Sequence, residues 1–357
     1  MNEELIARVG SHLRSWVTGH PMAPATPGTQ NAGTTTVVLE DPAHLPTLLA
    51  SDTVGPHTLL LAPDTPTHRD DASGATVVGY DGSLTGAEGD ASVDDTLFLQ
   101  IQDYGVSPYM SLLGTTLVRV AGATDFELFL ADADAARADG TFASFAVSPA
   151  VQLADLAALG ANVPGDGPGT RLHVADDGAV SVSPQGLRLG TAGDSAATLH
   201  ERWLSLNAAS EVPGAVPLGA AVPEELRAPA VRTRPWLARY LATLDLLRDL
   251  QTRGITEPRV SGFGHRLVAG LDQAVEPLDD NPGAPLLCWT ADQAYARPAG
   301  DTRTFQLGRR AAEITELLLV LGSAEAAAEH VDRASVERVL AFFAGKGAPL
   351  PVLEATA

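Results

Sequence analysis

The sequence predicts an α/β (α+β) front region of one or two domains, followed by a C-terminal winged-helix domain. Short β-branched runs alternate with helical patterns from residue 34 onward, which is typical of α/β folds. A segment rich in proline and aspartate precedes the last seventy residues, and those residues have the pattern of strands followed by three helices. The predicted divisions are a helix and linker at 1–33, an α/β domain at 34–147, a second α/β region at 148–272 and the winged helix at 284–357.

The N-terminal helix is predicted by its cap and its apolar spacing. Asn2 suits the N-cap, and Glu3 and Glu4 favour the first turn, where the helix dipole is positive. Apolar residues then recur at helical spacing at Ile6, Val9, Leu13 and Trp16. Three prolines and two glycines between residues 20 and 33 indicate a linker.

The front region contains apolar runs four to six residues long, which predict strands. These runs are Thr35–Leu39, Thr58–Leu61, Thr76–Gly79, Leu97–Ile101 and Thr116–Val120, with helical patterns at His44–Leu49 and Phe126–Ala136. Asp177-Gly178 predicts a hairpin turn between strands at 171–174 and 179–182, because glycine adopts positive φ without strain. Pro235 and Gly254 delimit a strongly amphipathic helix. The proline-rich segment 211–230 is either an ordered excursion or a boundary.

The C-terminal seventy residues carry the clearest pattern. Leu286–Trp289 and Thr302–Leu307 predict strands, after a linker at 273–285. Two helical faces follow with spacing i, i+3, i+4 and i+7, and an alanine-rich helix at 324–330 lies between them. The two faces are Ile314, Leu317, Leu318, Leu321 and Val336, Val339, Leu340, Phe343.

Charge and cysteine content exclude several classes of protein. The net charge is −21, so we expect no binding to nucleic acid or to anionic membranes, which select basic surfaces. A single cysteine cannot form an internal disulfide, and no apolar run approaches the ~20 residues that span a bilayer. Met1 is followed by acidic residues, unlike a signal peptide. These observations predict a cytoplasmic protein.

Motifs for catalysis are weak or absent. The nine histidines are scattered singly and Cys288 lies in an apolar run, so we expect no metal site and a buried, inert thiol. Gly262-x-Gly264 lacks the third glycine of a dinucleotide loop, although His265-Arg266 could meet an anion. Asp132 and Asp134 resemble an acidic pair that could hold a cation, but they lie in a helical pattern, where residues i and i+2 point apart. We therefore predict no catalytic residue, no cofactor and no metal.

The C-terminal region is nearly neutral. From residue 301 onward there are six basic and eight acidic residues, so almost all of the excess negative charge precedes residue 301. A winged helix that reads DNA is basic, so this one suits another ligand. Its outer strand and third helix can hold an extended peptide, which pairs with the strand edge while its side chains enter the groove.

The C-terminal residues resemble the PqqD-like recognition elements of ribosomally made peptide natural products (RiPPs). The resemblance is carried by Phe305–Leu307, by Ile314 with Leu317-Leu318, by the acidic short helix and by residues 336–343, about 70 of 357 residues. The whole chain also resembles the recognition proteins of daptide biosynthesis. The resemblance implies binding of a precursor leader peptide, and a partnership with an alcohol-dehydrogenase-like enzyme that oxidatively decarboxylates the precursor.

The resemblance also implies a set of peptide-binding residues. The strand edge would comprise Thr302, Arg303, Thr304, Phe305, Gln306 and Leu307, and the third helix would contribute Arg333, Val336, Arg338 and, near its end, Lys346. The expected protein is then a non-catalytic adaptor. Two alternatives stay open: an α/β transferase or nucleotide-binding enzyme with a site between the first two regions, and a transcription regulator, which the acidic charge disfavours.

Overall fold

A computed structural model describes residues 3–22, 33–86, 89–163, 166–271 and 281–352. The chain divides into two compact units. Unit 1 comprises Met1–Leu130 and Ala150–Thr233, and unit 2 comprises Ala131–Pro149 and Arg234–Ala357.

Unit 1 is built on a mixed sheet with helices. Its elements in chain order are α1 (Glu3–Thr18), β1 (Thr36–Leu39), α2 (Leu45–Leu49), β2 (Leu59–Pro63), β3 (His68–Arg69), β4 (Thr76–Gly82), β5 (Asp90–Val93), β6 (Leu97–Asp103), β7 (Thr115–Arg119), α3 (Ala123–Asp139), β8 (Val151–Leu153), β9 (Arg171–Val174), β10 (Ala179–Ser181), β11 (Gly190–Thr191), α4 (Ala196–Ala208), α5 (Ala215–Leu218) and α6 (Glu224–Arg232). Helix α3 begins in unit 1 and ends in unit 2.

In the described residues, the sheet of unit 1 has eleven strands in the order β11-β10-β9-β1-β2-β4-β5-β6-β7-β8, with β3 paired to β4. Strands β9, β1, β2 and β4 are parallel neighbours, and so are β6, β7 and β8. Between these two groups lies β5, which is antiparallel to both of its neighbours. Each parallel pair requires a crossover connection, which most often contains a helix.

Both faces of this sheet are buried around its centre, because successive side chains of a strand point to opposite faces. Val38 of β1 packs with Trp16 of α1 in one hydrophobic cluster. Its neighbours Val37 and Leu39 pack in a second cluster that includes Leu199 of α4. Burying each such aliphatic side chain contributes about 1.5–3 kcal/mol, so this alternation fixes the register of the strands.

Unit 2 contains a second sheet followed by three helices. After the C-terminal part of α3 its elements are α7 (Leu237–Thr252), β12 (Arg259–Ser261), β13 (Gly264–His265), β14 (Leu286–Trp289), β15 (Ala294–Arg297), β16 (Phe305–Leu307), α8 (Arg309–Leu321), α9 (Ala324–Ala328) and α10 (Arg333–Gly345). The strand order is β13-β12-β14-β15-β16. One hydrophobic cluster joins β14 and β15 to α8, α9 and α10.

The three last helices have clear local causes. Gly322, with φ of 73°, ends α8, since glycine adopts the left-handed region without strain. Ser323 caps α9 by accepting a hydrogen bond from the Ala326 N–H, and Asp332 caps α10 by accepting one from the Ser335 N–H. The two predicted apolar faces lie in the core beneath the sheet.

The mixed α/β class predicted for the chain is confirmed. The proline-rich segment 211–230 is ordered and contains α5 and most of α6. The strand predicted at Thr302–Leu307 begins only at Phe305, because the Arg303 N–H donates to the Asp301 side chain instead of pairing with a neighbouring strand. The predicted linkers lie largely outside the described residues. None of the described helices could cross a membrane.

Candidate peptide-binding groove

A groove of about 380 Å³ opens on unit 2 between β16, α8 and α10. We call it the β16–α10 groove. Its lining residues come from these three elements and the turn that joins β16 to α8: Gln306, Leu307, Gly308, Arg310, Ala311, Ile314, Ser335, Arg338, Val339, Phe342 and Phe343. A strand and two helices therefore present a recess with an apolar floor and polar sides.

Strand β16 forms one side of this groove. It is the last strand in its sheet and pairs antiparallel with β15, with Phe305 opposite Ala296 and Leu307 opposite Ala294. In the described part of unit 2, β15 is its one strand partner. An edge strand presents backbone N–H and C=O groups along its outer side, and an extended peptide can pair with them.

Three phenylalanines form the aromatic part of the groove and its immediate support. The Phe342 ring meets the Phe305 and Phe343 rings edge-on, with centroid distances of 6.0 and 5.3 Å. Phe343 is fully buried in the core of unit 2, whereas Phe342 is 39% exposed. Phe342 thus offers an accessible ring that its neighbours hold in place.

Basic side chains surround these rings. Arg338 lines the groove and donates a hydrogen bond of 2.6 Å to Ser335 Oγ, a neutral partner. Arg310 lines the opposite side, 3.4 Å from Glu313 on the exposed surface of α8. Lys346 Nζ lies 5.9 Å from the centre of the Phe342 ring, within the range of a cation–π contact. The groove therefore has an apolar floor and a rim rich in positive charge.

Arg303 closes one end of this arrangement. Its guanidinium lies 5.7 Å from the centre of the Phe305 ring and donates to the Lys346 carbonyl at 3.2 Å. It also donates to Asp301, and this hydrogen bond lowers the pKa of the Asp301 carboxyl to about 2. Asp301 stays charged and compensates part of the Arg303 charge, as Glu313 does for Arg310. Arg338, which donates to the neutral Ser335 hydroxyl, therefore contributes more to the field in the groove.

The structure brings some of the predicted site residues together. Gln306, Leu307 and Arg338 line the groove, while Arg303, Phe305 and Lys346 contact its aromatic rings or their neighbours. The other four predicted residues have different surroundings. Thr304 donates to Asp249 of α7, Arg333 pairs with Glu325 and Glu337, and Val336 is buried in the core. Thr302 is exposed in the irregular segment before β16.

Sequence reasoning did not assign groove positions to Arg310, Ala311, Ile314 or Phe342. Ile314 belongs to a helical face that packs in the core, and this spacing alone does not show that one end of the face borders a groove. For Phe342, the sequence does contain a pattern that indicates exposure. It falls outside the i, i+3, i+4, i+7 face of its helix, so an exposed aromatic ring was to be expected there.

A buried carboxylate fixes the sheet to the helix that lines the groove. Glu316 of α8 is fully buried and accepts hydrogen bonds from Ser261 Oγ at 2.7 Å and from the N–H groups of Leu267 and Val268 at 2.9 and 2.6 Å. Asp249 of α7 accepts hydrogen bonds from Arg297, in β15, and from Thr304, just before β16. These contacts hold both walls of the groove.

Unit 1 has its own buried charges, which have structural partners. Arg171 donates to Asp166 at 2.8 Å and to the Trp16 carbonyl at 2.7 Å, and it lies 2.8 Å from Asp155. Burial raises the pKa of Asp155 to about 6, against the attraction of Arg171. The adjacent cavity of about 30 Å³ has room for roughly one water molecule. The cluster joins α1 to the sheet.

Other reactive groups are also enclosed. Cys288 is fully buried, as predicted, and burial raises the pKa of its thiol to about 12, so it stays protonated. His173 lies 3.0 Å from Glu40, and this hydrogen bond lowers the pKa of the Glu40 carboxyl to about 2. Within the described residues no group of three histidine, cysteine or acidic side chains could hold a metal ion.

In comparisons with known proteins, no family model, curated protein or solved structure matches the chain.

Proposed function

We propose that this protein is a non-catalytic recognition protein that binds a precursor leader peptide in the β16–α10 groove. In this proposal residues 284–357 act as a winged-helix element of the PqqD-like kind. The order of three antiparallel strands and three helices, β14-β15-β16-α8-α9-α10, supports that assignment. The observation that supports it most directly is the outer edge of β16 beside a groove of about 380 Å³.

The geometry supports binding by strand addition. An extended peptide would pair its backbone with the outer side of β16, and alternate side chains would then point toward α10. There they would meet Val339 and the exposed ring of Phe342, which gives apolar anchors a place to bury. Backbone pairing supplies affinity without sequence preference, and the groove supplies the preference.

The charges support an acidic leader segment. Arg310 and Arg338 line the groove and Lys346 lies beside it, whereas the chain as a whole carries a net charge of −21. A peptide with glutamate or aspartate beside an apolar residue would be repelled by most of the protein and attracted at this point. Such complementarity raises the association rate and selects against neutral peptides.

A recognition protein of this kind needs a catalytic partner. We propose that the partner is a modifying enzyme, of the dehydrogenase-like class that oxidatively decarboxylates the precursor. The adaptor would bind both molecules and raise the effective concentration of the precursor at the enzyme. No cofactor is required for this role in the chain itself.

The test is a titration of fluorescently labelled precursor peptide against the full-length protein, with a variant that fills the groove. Ser335→Trp places an indole among the lining residues, and Ala334→Trp places the same side chain one position earlier, on the exposed surface of α10. We expect Ser335→Trp to weaken binding about tenfold or more and Ala334→Trp to leave it within about twofold.

Three results would contradict the proposal. If both variants bound the precursor equally well, the groove would not be the peptide-binding site. Absence of precursor binding, together with a clear thermal stabilisation by a nucleotide, would favour the alternative of a nucleotide-binding or transferase enzyme. Retention on duplex DNA that falls with added salt would favour a transcription regulator.

A further inference from the structure

A second apolar surface lies on unit 1, at the connection between the parallel strands β6 and β7. This connection, residues 104–114, contains one short turn of helix at Ser107–Tyr109 instead of the longer helix that usually covers such a crossover. Its apolar side chains face outward: Tyr109 is 88% exposed and Leu113 is 83% exposed. Val106, which precedes them in the chain, and Met110, which lies between them, are exposed too.

Neighbouring elements extend this surface. Phe98 of β6 is 67% exposed and lies on the same strand face as Gln100 and Gln102, whose side chains bond to the crossover at Leu113 and Ser111. Leu128 of α3 is exposed and packs against Gly105, where a Cβ atom would come within 3.0 Å of it. We call these residues the crossover patch: Phe98, Val106, Tyr109, Met110, Leu113 and Leu128.

The crossover is held in a defined conformation. The Gly105 N–H donates to Asp125 of α3 at 3.1 Å, and the Leu113 N–H donates to the Gln100 side chain at 2.8 Å. The Ser107 hydroxyl donates to the Asp103 carbonyl at 2.9 Å, and buried Tyr104 meets Phe129 edge-on. A surface that is already ordered loses little conformational entropy on binding, so its apolar area can contribute directly to affinity.

Acidic residues flank the patch along the chain. Between residues 70 and 130 the sequence contains ten acidic residues and a single basic one, Arg119. Arg119 is committed to Asp103 at 2.9 Å, and its side chain is mostly buried. Asp94 and Asp95 form the turn before Phe98, and Glu127 precedes Leu128 on α3. Asp95 and Glu127 are themselves exposed, so carboxylates border the exposed apolar side chains of Phe98 and Leu128.

We infer that the crossover patch is a docking surface for a protein whose own contact face is apolar at its centre and bears lysine or arginine around it. A second copy of this chain does not meet this description, because a symmetric contact would oppose the carboxylates of both copies. Anionic lipid and nucleic acid are repelled for the same reason. Resting on the proposed function, the inference assigns this surface to the modifying enzyme.

The test measures binding of that modifying enzyme to the full-length protein by isothermal titration calorimetry. The variant is the double substitution Tyr109→Ser and Leu113→Ser, and the control is Leu204→Ser, which changes an exposed leucine on α4. We expect the double variant to bind the enzyme at least about tenfold more weakly and the control to bind within about twofold. Both should bind the labelled precursor as the unchanged protein does. Met110→Ser serves as a second variant if the double one does not fold.

The outcomes separate this inference from the proposed function. Unchanged enzyme binding by the patch variants, or no binding of the enzyme by the unchanged protein, overturns the inference. So does a patch-dependent self-association in sedimentation velocity, or patch-dependent binding to phosphatidylcholine vesicles without an effect on the enzyme. If the enzyme distinguishes the variants while the precursor binds none of the proteins, the proposed leader recognition fails and the docking surface stands.

Discussion

The β16–α10 groove of unit 2 and the crossover patch of unit 1 are both apolar surfaces open to solvent, but their charges are opposite. The groove is lined by Arg310 and Arg338. The patch lies in a stretch where the one basic residue, Arg119, is already paired. The groove is recessed beside a strand edge, whereas Tyr109 and Leu113 of the patch are almost fully exposed.

This difference shows how one acidic chain can address two ligands without confusing them. Apolar area alone selects poorly, because any buried hydrophobic contact gains free energy. The sign of the surrounding charge adds the discrimination: an acidic peptide is attracted to the groove and repelled by the patch, and a basic protein face is treated in the opposite way. If the two surfaces act separately, a substitution in one of them leaves the ligand of the other bound as before.

The largest effect is expected from Glu316→Ala in unit 2. Glu316 is fully buried, and its removal leaves Ser261 and the N–H groups of Leu267 and Val268 without their acceptor. We expect unit 2 to lose about 3–5 kcal/mol of stability and the groove to lose its peptide, while unit 1 and the patch are unaffected. Hydrogen exchange measured by mass spectrometry reports the two units separately.

Glu313→Ala is the matched control on the same helix, since Glu313 pairs with Arg309 and Arg310 at 3.3 and 3.4 Å on the exposed side. It should change the stability of unit 2 by less than about 1 kcal/mol. Equal exchange rates in the two variants would show that the buried carboxylate does not hold the sheet to α8.

The next largest effect is a dependence of unit 1 on pH. Burial and the nearby charge of Arg8 lower the pKa of His12 from 6.5 to about 4, and its ring meets Thr36 at 2.9 Å. The folded state thus favours the neutral ring, so this contribution is fully present above pH 6.5 and is lost as the pH falls toward 4. The loss amounts to about 3 kcal/mol. Asp301, with its pKa of about 2, keeps its pairing beside the groove in this range.

Urea unfolding of unit 1 between pH 7 and 4, followed by hydrogen exchange, measures this effect. His12→Gln should flatten the pH dependence, and His57→Gln, at an exposed position, should leave it as it is. A slope that is the same in the His12 variant would assign the acid sensitivity to another group.

Much of the local structure behind this comparison follows from the sequence. The β-branched runs and the apolar faces with spacing i, i+3, i+4 and i+7 are patterns over a few positions, so the strands and helices that they predict are found. Which residues belong to unit 2 does not follow from the sequence. Residues 131–149 join it through contacts such as Phe142 with Tyr240, 6.1 Å apart and nearly parallel, and a contact across a hundred residues leaves no local pattern.

The groove and the crossover patch also differ in how far the sequence predicts them. The groove could be anticipated from its strand and third helix, because both are continuous in sequence. The crossover patch could not, since Val106, Tyr109, Met110 and Leu113 have the composition of a buried segment. They are exposed because the connection between β6 and β7 is too short to carry a covering helix, and this length becomes meaningful only once the two strands are known to be parallel neighbours.

A smaller and reciprocal effect is expected from the two exposed phenylalanines. Phe342→Ala removes the accessible ring of the groove, and Phe98→Ala removes one from the patch. We expect Phe342→Ala to weaken precursor binding about tenfold and Phe98→Ala to weaken binding of the modifying enzyme by a similar factor. Each substitution should leave the affinity for the other ligand unchanged. Titrations of both ligands against both variants give four affinities. Weakening of both ligands by one substitution would mean that the surfaces are coupled.

The smallest effect isolates the charge of the groove. Arg338 and Arg333 lie on the same helix, but Arg338 lines the groove and bonds to Ser335, whereas Arg333 pairs with Glu325 and Glu337. Arg338→Gln should weaken precursor binding about fivefold, which corresponds to about 1 kcal/mol, and Arg333→Gln should have little effect. The difference between the two variants should shrink as salt is raised, because a rim charge acts through a screened field. A fivefold loss that persists at high salt would instead make Arg338 a direct hydrogen-bond donor to the peptide, and equal losses in both variants would place the acidic residues of the leader along the whole of α10.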